Sequence, residues 1–112
     1  MKKNEDNKEL FDKLEKIAAK DEDLTSAIPH LLKLREYAKS VEDPQATKIL
    51  RLTAEFIEKY NHFDISEHLL DEDEGVPEDM TALQYLLELL SDSDNIYNKE
   101  EITGYKNILL QA

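Results

Sequence analysis

Apolar side chains recur every three to four residues along most of this chain, a period that suits one face of a helix and fits no half-buried strand. Residues 8 to 20 set Leu10, Phe11, Leu14, Ile17 and Ala18 on one face, with Lys and Glu opposite. The run Asp21-Glu22-Asp23 turns the chain. Ile28, Leu31, Leu34, Ala38 and Val41 then form a second seam, with Thr25 or Ser26 as its N-cap and Pro29 in its first turn, where N–H groups lack intrahelical partners. Asp43-Pro44 is the sharpest boundary, a capping carboxylate followed by proline at the first helical position. The third helix buries Ala46, Ile49, Leu50, Thr53, Phe56, Ile57 and Tyr60, the cleanest stripe in the sequence. Its short connection to the second helix makes the two an antiparallel hairpin.

Beyond Tyr60 the pattern changes. Asn61 ends the third helix, and Asp64 with Glu67 forms a capping box for a short helix through Leu69 and Leu70. Residues 71 to 79 read as a loop. From Met80 to Leu90 the polar residues Thr81, Gln84, Glu88 and Ser91 make a narrow stripe and the rest is apolar, so this helix is either central to the bundle or exposed for a partner. Ser91-Asp92-Ser93-Asp94 breaks it. Asn98 and Glu101 offer a capping box for a last helix carrying Ile102, Tyr105, Ile108 and Leu109. Gly104 within it costs about 1 kcal/mol relative to alanine, which leads us to expect a neighbouring helix in close approach. Residues 1 to 6 read as a frayed end. Helix pairs begin near residues 8, 44 and 80, a period found in helical-hairpin repeats, but the units share no residue-level similarity. The expected fold is therefore all-α: one irregular bundle over residues 1 to 112, with five main helices and one short helix.

Composition narrows function by exclusion. The absence of cysteine removes disulfides, thiol catalysis, iron–sulfur clusters and thiolate zinc sites, and it fits a reducing compartment. The polar stretch at Met1-Lys2-Lys3-Asn4 has no signal-like apolar region, and no window approaches a membrane span, so a cytoplasmic protein is expected. With two glycines there is no Gly-rich phosphate loop, and no G-x-S-x-G occurs. His30, His62 and His68 lack the spacing of H-E-x-x-H or Glu-x-x-His ligands, and the carboxylates around His62 and His68 (Asp64, Glu67, Asp71) read as solvated surface. Counted as EF-hand loops from Asp71 or Asp92, the twelfth position falls on Ala82 or Thr103, so neither qualifies. No catalytic residue, cofactor or metal is assigned, and the chain is read as a non-enzyme.

Charge is the remaining clue. Residues 1 to 60 hold 13 acids and 12 bases, whereas residues 61 to 112 hold 13 acids and 2 bases, so the net charge of −12 belongs to one half of the chain. The bases are spread singly among acids on the first three helices, which argues against direct nucleic-acid binding, and no helix has a basic face for a membrane surface. These observations lead us to expect a non-enzymatic protein-interaction module. Asp71, Glu72, Asp73, Glu74, Asp79, Asp92 and Asp94 would form an acidic rim around the apolar helix and face a partner with a basic surface. The alternative is an acidic inhibitor of the toxin-immunity or nucleic-acid-mimic kind. Homo-oligomers are compatible with either.

Overall fold

The computed structural model describes residues 1–20, 23–63 and 80–111 and places five α-helices along them. They are α1 (Lys8–Lys20), α2 (Ile28–Ser40), α3 (Pro44–Tyr60), α4 (Ala82–Leu90) and α5 (Ile96–Gln111), with a 3₁₀ turn over Leu24–Ala27 leading into α2. The fold is all-α. The expected short helix at residues 64–70 and the loop at 71–79 lie outside the described residues.

Local chemistry accounts for most helix ends. The Asp43 carboxylate accepts from the Ala46 N–H at 3.1 Å and Pro44 opens α3, while Asn61 closes it in the left-handed conformation (φ 59°) with its N–H on the Ile57 carbonyl. Before α2 the cap is Asp23, not Thr25 or Ser26. Its carboxylate accepts from the Thr25 N–H and hydroxyl, which winds Leu24–Ala27 into the 3₁₀ turn, and α2 follows with Pro29 in its first turn. Thr81 and Gln84, which sequence places merely on a polar stripe, form a reciprocal capping box at the start of α4. α5 starts earlier than expected. Asn95, not Asn98, caps it by accepting from the N–H groups of Tyr97 (2.9 Å) and Asn98 (3.4 Å).

The helices close a ring in which α2 packs on α3, α3 on α5, α5 on α4, α4 on α1 and α1 on α2, the α2–α3 contact being the broadest. Inside the ring Phe11, Leu14, Leu31, Leu34, Ile49, Leu50, Ile57, Leu86 and Leu87 are fully buried. Each large side chain contributes on the order of 1.5–3 kcal/mol before chain entropy is set against it. Two stripe assignments fail at helix ends. Val41 is exposed because its backbone (φ −97°, ψ 15°) has already left the α2 helix, and Tyr60 stays 40% exposed in the last turn of α3, its ring 4.7 Å from Phe56.

Residues 1 to 6 are anchored, contrary to the frayed end expected. Asn7 is fully buried and donates to the Lys2 carbonyl, Asn4 donates to the Tyr37 hydroxyl, and the Lys3 N–H bonds the Ser91 carbonyl at 2.8 Å. The Met1 ammonium sits 2.6 Å from the Asp43 carboxylate. Polar groups with partners in α2 and at the ends of α3 and α4 supply the order that an apolar pattern would otherwise have signalled. Gly104 also departs from expectation. A Cβ built there meets nothing within 4 Å, so no neighbouring helix requires the glycine.

Candidate functional site

The acidic rim depended on whether the apolar helix is covered. It is: in α4, Leu83, Leu86, Leu87, Leu89 and Leu90 are all buried, facing α1 and α5. Among the described residues α4 therefore offers no apolar centre to a partner. Of the expected rim residues, Asp71, Glu72, Asp73, Glu74 and Asp79 lie outside the described residues. Asp92 and Asp94 sit in the α4–α5 turn, brought to the Met1–Lys2 segment: the Asp94 carboxylate is 3.5 Å from the Met1 ammonium and Asp92 is 4.0 Å from the Lys2 ammonium. Both remain solvent-exposed, at 49% and 61% of their side-chain surface. This turn is fixed from below by Asn98, whose amide donates to the Asp92 carbonyl (3.0 Å) and the Leu89 carbonyl (3.4 Å), adding to the backbone N–H that each already accepts.

Beside the turn, Tyr85 of α4 donates its hydroxyl to the Glu101 carboxylate of α5. Burial, this hydrogen bond and the negative charges of Glu101 and Glu88 push the Tyr85 phenol up to about 12. Tyr105 is pushed up as well, chiefly by its own burial. Asp43 shows the opposite balance. Burial opposes its ionisation, but hydrogen bonds from the Met1 ammonium, the Ala46 N–H and the Ser93 hydroxyl prevail and hold its carboxyl below the ordinary range.

Sequence reasoning missed a second surface. A shallow cleft of about 670 Å³ opens where the C-terminal half of α2 meets the N-terminal half of α3, and four cations line it: Arg35, Lys39, Lys48 and Arg51. Spread among acids in sequence, they gather in space because Arg35 and Lys39 are four apart on one helix, Lys48 and Arg51 three apart on its hairpin partner. Those spacings, combined with the predicted hairpin, were the signal available. Lys39 and Lys48 have no carboxylate in ion-pair reach among the described residues. Arg35 gives its Nη1 to Glu36 at 3.1 Å, while its Nε is buried with no acceptor among them.

Among the described residues no three His, Asp or Glu side chains converge as metal ligands, and no helix is long and apolar enough to cross a membrane. His62 packs edge-on against Phe56, with ring centroids 5.8 Å apart, and His68 lies outside the described residues. Compared with protein-family models, with curated proteins and with solved structures, the chain matches none.

Proposed function

We propose that the protein is a non-enzymatic interaction module whose acidic half engages a partner with a basic surface. The observation that supports this reading is the burial of the α4 leucines within a half of the chain that carries 13 acids and 2 bases. With the α4 leucines inside the core, charge is the main property this half has to offer a partner. Contact through carboxylates steers encounter and selects against acidic competitors more than it adds affinity. This moves the reading away from an apolar centre with an acidic rim and towards a purely charged contact, closer to the inhibitor alternative. A reducing, cytoplasmic setting is part of the proposal and accords with a chain that has no cysteine.

The test is capture with two proteins: the native chain, and a variant in which Asp71, Glu72, Asp73, Glu74, Asp92 and Asp94 are replaced by their amides. The expected partner is basic, is retained by the native chain alone, and associates more slowly as salt rises from about 0.05 to about 0.5 M. Equal retention by both proteins, or an association rate indifferent to salt, would overturn the acidic surface as the contact.

A further inference from the structure

Four cations gather around one cleft; Arg35 and Arg51 are paired at its margins with Glu36 (3.1 Å) and Glu55 (3.9 Å), but Lys39 and Lys48 are not relieved by the two carboxylates that share the lining, Glu42 and Asp43. Asp43 is committed to the Met1 ammonium, the Ala46 N–H and the Ser93 hydroxyl. Glu42 has no cation in ion-pair distance among the described residues and sets one negative charge against the anion site, so the positive excess of the lining rests on four cations against two carboxylates. We propose that this α2–α3 cleft binds a small polyanion bearing phosphate groups, at a site separate from the acidic surface assigned above.

Size, chemistry and field each narrow the ligand. A cleft of about 670 Å³ is far larger than one phosphate and falls within the range of small-molecule sites. Two cations stand on each wall, and packed helix axes lie about 8–10 Å apart, so a ligand with two or more anionic groups can meet both walls. Arg35, with Nη1 held by Glu36, keeps its Nε without an acceptor; a small rotation into the cleft would offer Nε and Nη2 as a fork suited to a phosphate. Lys39 and Lys48 are exposed and can close on the remaining oxygens, and Arg51 can join them by exchanging its exposed pair with Glu55, 3.9 Å away. A long nucleic acid would instead extend past the cleft over a surface whose net charge is −12, whereas a compact polyanion directly meets Lys39 and Lys48, unpaired among the described residues, with the nearby carboxylates Asp43 and Asp94 facing the Met1 ammonium. The cleft binds without reacting: Thr47, the hydroxyl among its lining residues, already donates to the Asp43 carbonyl at 2.7 Å.

The experiment is an NMR titration of the full chain with inorganic tripolyphosphate, against sodium chloride at matched ionic strength. The expected result is saturable shifts confined to residues 33 to 51. Replacing Lys48 and Arg51 together by glutamine should weaken binding about tenfold or more, and Arg35→Lys should weaken it although charge is kept. Glu42→Gln should strengthen binding about threefold, an increase that loss of folding cannot mimic. Shifts reproduced by sodium chloride, or affinity unchanged in the Lys48/Arg51 variant while its circular dichroism stays native, would overturn the site. A tetraglutamate peptide binding more tightly than tripolyphosphate at the same residues would overturn the phosphate assignment in favour of an acidic peptide.

Discussion

Gly104 stands on the exposed side of α5 with open space where a side chain would be, so it carries the entropic cost of glycine in a helix with no compensating contact. Gly104→Ala should therefore stabilise the protein by about 1 kcal/mol, seen as a rise of about 4–8 °C in the thermal midpoint. Phe56 is the opposite case. It is 5% exposed and ringed by Tyr60, His62 and Phe63, with the Phe63 centroid 5.6 Å away at an edge-on angle. Phe56→Ala should remove about 3–5 kcal/mol, measured by urea denaturation; a loss below about 1 kcal/mol would contradict its place in the core. Asp43 governs the acid limb. Its carboxyl is held below its ordinary value, so its contribution is complete above about pH 4 and is lost as pH falls through the folded value. Urea midpoints followed with pH should fall less steeply below pH 4 in Asp43→Asn than in the native chain.

At the level of elements, what could be read in advance was what neighbours in sequence decide. Asp43-Pro44 and Asn61 bound α3 as expected, because a cap needs only its own first or last turn. The stripe Ile49, Leu50, Thr53, Phe56, Ile57 is buried as the period requires. The misreadings have a common cause in longer-range partners. Asn98 looked like a cap, but its amide is spent on the Leu89 and Asp92 carbonyls, and the neighbouring Asn95 does the capping. The first residues lack an apolar pattern and are ordered by hydrogen bonds to Tyr37, Ser91 and Ser93, none of which sequence proximity reveals. The basic cleft was hidden because charge was counted along the chain, whereas a hairpin adds the faces of two helices. Asn98→Ala should loosen the α4–α5 turn by removing the second donor from the Leu89 and Asp92 carbonyls, at a loss of about 1 kcal/mol, and hydrogen exchange should quicken first in Ser91 to Asn95.

For the whole molecule, the excess of 12 negative charges is a repulsion that folding concentrates. The described ion pairs are mostly exposed, such as Lys13 with Glu9 and Arg51 with Glu55, and offset little of it. Raising salt from about 0.01 to about 0.5 M should therefore raise the thermal midpoint; a fall would mean that the surface pairs outweigh the net charge. Polarity organises the surface as well, with carboxylates towards the α4–α5 end and a basic cleft between α2 and α3. The Tyr85–Glu101 hydrogen bond joins α4 to α5 and also gives the molecule an optical reporter. There is no tryptophan, and of the five tyrosines Tyr85 and Tyr105 release their protons late, so phenolate absorbance acquired on unfolding in mild alkali marks the parting of these two helices. The same property sets a limit on alkaline storage: unfolded phenols ionise near pH 10 while the folded Tyr85 waits until about 12, and between those values each step in pH draws the chain towards its unfolded form.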